Sequence, residues 1–400
     1  MLSRFSPGTR QYLLVTGNYW AFTLTDGALR MLVVLHFHTL GYSPLEIALL
    51  FLFYEFFGVV TNLVGGWLGA RLGLNRTMNA GLILQVAALA MLLVPQAQLT
   101  VPWVMAAQAL SGIAKDLNKM SAKSTIKLLV PDDSGGALYR WVVLLTGSKN
   151  ALKGTGFFLG GALLAMLGFR GAVGTMAGAL TLVWLASVIL LEKDLGRARQ
   201  KPGFRAMFSK SRAINILSAA RLFLFGARDV WFVVALPVYL SSTLGWAHWS
   251  VGGFLALWVI GYGLVQASAP HITGRGQRPG ARATAGWAAL LALTPAAIAL
   301  ALAEGLEPAA ALIGGLSVFG LLFAVNSALH SYLIVSFANA DAVSLDVGFY
   351  YMANATGRLI GTALSGWVFQ LAGLEACLWL SAGFAAAAAA LSLALPEKRP

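Results

Sequence analysis

Charge is what this sequence has least of. Asp, Glu, Lys and Arg make up 11% of its 400 residues, against about 25% in an ordinary soluble domain. So few charges cannot clothe a surface that faces water, and a large soluble catalytic domain is excluded. Cysteine is almost absent. The single Cys377 rules out an internal disulfide and a metal site built on cysteines. No His-Glu-x-x-His, no Gly-x-Ser-x-Gly and no convincing intramembrane acid dyad occurs, so the sequence offers no hydrolase chemistry. No enzymatic activity, cofactor or metal is expected. Strict apolar–polar alternation is missing too, which excludes membrane β-strands and leaves helices. What is present is apolar: 58% of the residues and a mean hydropathy of +0.75.

A hydrocarbon core ~30 Å thick takes about 20 apolar residues per helix. Twelve such spans are predicted, over 12–38, 45–70, 77–94, 102–123, 138–168, 172–191, 213–240, 249–270, 283–303, 308–336, 346–372 and 374–395. The first is too long for a cleaved signal and carries Asp26 and Arg30 inside it. Basic residues set the orientation. With the N-terminus in the cytoplasm, the inside segments hold 17 Lys and Arg, among them Arg71, Arg76, Lys193, Arg197, Arg275 and Lys398, and the outside loops hold only Arg170. Both termini are therefore expected in the cytoplasm. The net charge of +13 belongs first to these loops and to anionic lipid headgroups, and no nucleic-acid partner is inferred from it.

A basic loop at 193–212 divides the chain into two bundles of six spans, 1–192 and 213–400. The halves echo each other. Thr39-Leu40-Gly41-Tyr42 recurs as Thr243-Leu244-Gly245-Trp246, Arg71 as Arg275, and Asp26 as Asp229. Two parallel repeats of six spans are similar to the plan of the major facilitator superfamily. The segment Gly65-Gly66-Trp67-Leu68-Gly69-Ala70-Arg71-Leu72-Gly73-Leu74-Asn75-Arg76 resembles that superfamily's signature, with Ala70 where the signature has Asp. Gly147, Gly156, Gly160 and Gly161 in span 5 resemble its antiporter pattern without the proline. Helix packing explains them equally well.

Ten Lys and Arg fall within the spans or at their edges: Arg30, Lys115, Lys119, Lys123, Arg140, Lys149, Lys153, Arg221, Arg228 and Arg358. A cation inside the bilayer costs about 2.5–3.5 kcal/mol on insertion scales and needs a wet cavity or a partner. The acids available are Asp26, Glu55, Asp116, Asp229 and Asp346, half as many. An anionic ligand would complete the balance. Lys115, Lys119, Lys123 and Lys127 repeat at i+4 and form one stripe on span 4. The stripe either lines a pathway or snorkels to water from a helix that ends early. Lys149 and Lys153 repeat the spacing on span 5. Asp26 and Arg30 are spaced to pair with each other. Arginine forks bind phosphate-like oxyanions two bonds at a time, and lysine adds point charge. The substrate-binding candidates are Arg30, Lys115, Lys119, Lys149, Lys153, Arg221, Arg228 and Arg358. The proton-coupling candidates are Asp26, Glu55, Asp116 and Asp229. His36, His38 and His330 are expected to pack rather than carry protons, and Pro237 and Pro295 to kink their spans.

A closer resemblance rests on longer blocks: Arg10-Gln11-Tyr12-Leu13-Leu14-Val15-Thr16-Gly17-Asn18-Tyr19-Trp20, Asp26-Gly27-Ala28-Leu29-Arg30, Phe53-Tyr54-Glu55-Phe56 and Lys115-Asp116-Leu117-Asn118-Lys119-Met120-Ser121-Ala122-Lys123. Over nearly its whole length the chain resembles the ArsJ permeases of bacterial arsenate resistance. The resemblance implies an inner-membrane exporter of 1-arseno-3-phosphoglycerate. A partner glyceraldehyde-3-phosphate dehydrogenase makes that ester by using arsenate in place of phosphate, and outside the cell the ester hydrolyses. It implies no binding residues, so the site assignment rests on charge and depth alone. Alternating access with proton exchange is the expected mechanism. A phosphate or sugar-phosphate exchanger of the same superfamily is the alternative.

Overall fold

The computed structural model describes residues 7–41, 50, 52–129, 136–192, 195–199, 202–208, 210–246, 248–273 and 280–396. The side chains of His38 and Glu55, and the segments holding Tyr42, Lys193, Arg275, Arg278 and Lys398, lie outside the described residues. The described elements are helical. They are α1 (Pro7–Thr39), α2 (Leu52–Leu72), α3 (Leu74–Met91), α4 (Val101–Leu129), α5 (Ala137–Leu190), α6 (Arg212–Phe232), α7 (Ala235–Ser242), α8 (His248–Ile272), α9 (Ala281–Ala303), α10 (Pro308–Phe337) and α11 (Val343–Leu393), with short 3-10 turns such as Phe204–Met207. Among the described residues, six stretches are long and apolar enough to cross a membrane by length and composition. Their outer faces carry exposed large apolar side chains such as Met166, Leu182, Ile189 and Leu371, which suit a lipid surface.

All twelve predicted spans have helices. Two pairs run together, and each joint is a glycine. α5 turns at Gly168 (φ 66°) between the fifth and sixth spans. α11 turns at Gly373 (φ 75°) between the eleventh and twelfth. A side chain at either φ would clash with its own backbone, so glycine supplies the turn. The seventh span breaks as expected near Pro237. Its ring and missing N–H disrupt the turn before it, and α6 gives way to α7. The freed Val234 and Ala235 N–H groups donate to Ser365 Oγ at 3.3 and 3.1 Å.

Contacts sort the chain into two compact units. Unit 1 holds Met1–Asp132, Ser148–Ser209 and Ala338–Met352. Unit 2 holds Asp133–Gly147, Lys210–Phe337 and Ala353–Pro400. In unit 1, α1 and α5 meet backbone to backbone. A Cβ on Gly27 would lie 2.6 Å from the Lys153 carbonyl, and one on Gly156 would lie 2.6 Å from that of Leu24. Small residues permit that approach, and it carries Lys153 to the level of Asp26 and Arg30. In unit 2, α6 and α11 do the same through Gly226 and Gly361. Gly147 has a separate task, lying against Ala267 of α8, while Gly161 faces open space but for Leu35.

Ala70, at the signature's acidic position, is fully buried with Ala198, Met207 and Leu345. The following loop folds onto it. Ala198 N–H donates to Ala70 O at 2.8 Å, and Trp67 Nε1 donates to Pro202 O at 2.9 Å. Where the signature has a charge, this chain has an apolar contact sealed by the loop after α5.

The glycine seam gives a stability prediction. Gly27→Leu should lower the melting temperature sharply or prevent folding, since overpacking costs about 1–3 kcal/mol or more where backbone cannot yield. Gly161→Leu should cost little. Thermal unfolding of the purified variants measures both, and equal effects would contradict the seam.

Candidate functional site

The charged side chains gather in one cluster per unit. In unit 1, Tyr54 on α2 is its hub. Its hydroxyl donates to Asp26 Oδ1 at 2.7 Å. The Arg30 guanidinium lies 3.9 Å from its ring centre, and the Lys115 ammonium 3.8 Å. Desolvated cation–aromatic contacts of this kind contribute roughly 2 kcal/mol. Asp26 and Arg30 are therefore linked through a tyrosine on another helix. On α4, Lys119 Nζ donates to Asp116 Oδ1 at 2.5 Å, with Lys115 Nζ 4.0 Å from the other oxygen. Lys123 donates to the Tyr351 hydroxyl at 2.5 Å, and Lys119 lies 4.8 Å from the same ring. On α5, Lys153 feels the charges of Arg30, Asp26, Lys149 and Lys115.

The lysine stripe does not snorkel from a short helix. α4 continues to Leu129, and Lys123 is buried. Sequence spacing alone could not reveal this, because its partner Tyr351 is 228 residues away. Among the described side chains, unit 1 assembles six bases (Arg30, Lys115, Lys119, Lys123, Lys149, Lys153) with the acids Asp26 and Asp116. Lys115 and Lys119 keep 16% and 12% of their side-chain surface exposed, and Arg30, Lys149 and Lys153 are partly exposed as well.

Unit 2 is balanced differently. Asp229 is completely buried, and both of its oxygens are taken. Arg228 from the adjacent position holds Oδ1, and Arg358 Nε from α11 donates to Oδ2 at 3.0 Å. Arg221 Nε donates to Asn354 Oδ1 at 2.8 Å, and its Nη1 reaches Ser327 Oγ at 3.3 Å. Gln266 Nε2 donates to the same Ser327 oxygen at 3.0 Å. Phe225 stacks under Arg221 at 3.9 Å. The unit 2 arginines thus tie α6, α10 and α11 together.

Tyr54, Tyr351 and Ser327 had no place among the sequence candidates. Tyr54 sits beside Glu55 in an aromatic run, and only its contact with Asp26 marks it. Asp346 accepts the Asn339 N–H at 3.0 Å at the start of α11. His36 stacks on Phe169 with ring centres 4.1 Å apart, as a packing residue would. Among the described residues no group of three or more His, Cys, Asp or Glu is placed to hold a metal ion.

The sequence matches the model of the major facilitator superfamily over residues 13–344. The chain belongs to the major facilitator superfamily. The transporter is thus a multi-pass membrane protein of twelve helices in two related sets of six. Solved structures agree on the fold. A proton:xylose symporter, XylE, bound to 6-bromo-6-deoxy-D-glucose is 12% identical with a TM-score of 0.77, and the alignment covers 98% of this chain and 97% of that one. The human organic anion transporter MFSD10 is 16% identical with a TM-score of 0.75, over 97% and 100%. A bacterial homologue of the iron transporter ferroportin, in an outward-facing state, is 13% identical with a TM-score of 0.74, over 96% and 98%. No protein with a curated description matches the sequence.

The Asp229 clamp gives a second prediction. Asp229→Asn leaves two arginines facing an uncharged amide, and breaking a buried pair costs about 3–5 kcal/mol. The melting temperature of the purified transporter should fall, and Arg228→Gln added to it should recover part of the loss. A stable Asp229→Asn variant would contradict the clamp.

Proposed function

We propose that the transporter exports an anionic organophosphate, and that its substrate is 1-arseno-3-phosphoglycerate. The observation that carries this reading is the basic surplus of the unit 1 cluster, six bases to the acids Asp26 and Asp116 among the described side chains. Buried like charges repel in a low dielectric, so such a surplus is stabilised when an anion joins it. Arg30, Lys115, Lys119, Lys149 and Lys153 supply the positive field. Tyr54 and Tyr351 hold those cations in place before the anion arrives. The unit 2 arginines Arg221, Arg228 and Arg358 shape their bundle and present charge from α6 and α11. Such a field opposes a cationic substrate. The ArsJ resemblance names the anion, and it also supplies the link to a glyceraldehyde-3-phosphate dehydrogenase and the bacterial inner membrane as location, with both termini in the cytoplasm.

Release from the cell is downhill for such an ion. Moving one negative charge outward across an inside-negative membrane gains about 2.3 kcal/mol per 100 mV. Proton exchange can add to that drive. Of the proton-coupling candidates, Asp116 and Asp229 hold cations by direct hydrogen bonds, whereas the hydroxyl that Asp26 accepts from is neutral. Asp26 is therefore the carrier we favour.

The test is made in an arsenate-sensitive bacterium. Expressed with the dehydrogenase, the transporter should raise arsenate resistance and lower cell-associated arsenic, with arsenite tolerance unchanged. Arg30→Ala and Lys119→Ala should abolish the effect while the protein stays in the membrane, and Arg197→Ala should be mild. Equal protection against arsenite, or protection without the dehydrogenase, would refute the substrate. Exchange of internal for external phosphate in vesicles, without arsenic export, would favour the phosphate or sugar-phosphate exchanger.

A further inference from the structure

The seam between α6 and α10 in unit 2 holds buried polar atoms that the charge clusters leave unused. Phe225 meets Phe323 with ring centres 5.1 Å apart, and Arg221 bonds Ser327. These two contacts fix an antiparallel register. Carried one turn further along each helix, that register brings Ser218 level with His330. His330 is fully buried, and neither its Nδ1 nor its Nε2 has a hydrogen-bond partner. Ser218 Oγ, 3% exposed as a residue, has none either, and the same holds for Ser331 Oγ beside the histidine. Arg221 lies one turn from Ser218 on α6, and its partner Ser327 lies one turn from His330 on α10. Buried polar groups almost always have partners. Here the buried polar side chains of Ser218, His330 and Ser331 stand together at one seam without one.

We propose that Ser218 and His330, with Arg221 beside them, form a second binding site, for an oxyanion that also carries a hydroxyl, such as a hydrogen phosphate or hydrogen arsenate group. A neutral imidazole offers one donor and one acceptor, and a serine hydroxyl offers both. A fully deprotonated oxyanion only accepts, and would leave the imidazole acceptor unmet. A hydroxyl-bearing oxyanion answers both nitrogens. The guanidinium adds the charge that favours an anion over water. This deepens the reading of the protein as an oxyanion permease and rests on it for the ligand class.

The measurement is thermal unfolding of the purified, full-length protein, without and with inorganic phosphate. His330→Leu removes two partnerless atoms, so the ligand-free melting temperature should rise. The same variant should bind phosphate about tenfold more weakly or worse, the loss of two hydrogen bonds to a charged group. His330→Gln keeps a donor and an acceptor and should stay within about threefold of wild type, while Ser218→Ala should weaken phosphate by about threefold without lowering the ligand-free melting temperature. A structural histidine satisfied by water predicts the opposite pattern: His330→Leu less stable, and phosphate affinity untouched. That result overturns the site. So does phosphate binding that is lost in Lys119→Gln yet unchanged in both His330→Leu and Ser218→Ala, and it leaves the permease reading standing. A wild-type protein that phosphate does not stabilise at all overturns both.

Discussion

A charge inside an apolar bundle has to be answered, and nearly everything specific about this protein follows from how its charges are answered. Hydration is lost, the local dielectric is low, and an unpaired ion is too costly to keep. Each buried cation needs an acid, an aromatic face or a ligand. The helices are spaced and packed to provide them. Glycines bring α1 against α5 and α6 against α11, and the acids Asp26 and Asp229 sit one on each of these seams.

The two units answer the same constraint in different ways. In unit 2 a single carboxylate takes two arginines, and Arg221 is held in place by the neutral Asn354 and Ser327. Rigid, planar guanidinium forks suit such fixed pairing. Unit 1 uses mostly lysine, and beside the Asp116 ion pair it sets its cations against Tyr54 and Tyr351. A π-face attracts a cation without neutralising it, so Arg30 and Lys115 can share Tyr54 and keep their net charge. That is a useful property in a site meant to meet an anion, because the charge is positioned but not cancelled. The substitution of Ala70 for the signature's acid fits the same economy of acids. A latch made of apolar contact and a folded loop needs no buried charge.

Much of the fold could be read in the sequence because the bilayer imposes a length. Runs of about 20 apolar residues place twelve helices, and the turns at Gly168 and Gly373 fall where two runs were divided. The site was legible only in part. Composition reveals that bases exceed acids, and the i+4 spacing puts the lysines on one face. What decides each one's partner is tertiary. Nothing near Lys123 in the sequence announces Tyr351, and the Asp26–Arg30 spacing points to a direct pair where Tyr54 stands between. Periodicity reports a face, not what another helix brings to it. The same holds for the end of α4: spacing leaves Lys123 open as a polar end or a lining residue, and the helix runs on to Leu129 with Lys123 buried.

The central claim is that the unit 1 lysines are held ready for an oxyanion. Amine footprinting tests it directly. The purified transporter would be exposed to a small amine-acylating reagent with and without 3-phosphoglycerate, and each lysine's modification read by mass spectrometry. The account predicts that 3-phosphoglycerate protects Lys115, Lys119, Lys149 and Lys153, while Lys127 and Lys210 react equally in both samples. Uniform reactivity with and without the anion, or protection confined to Lys127 and Lys210, would contradict it.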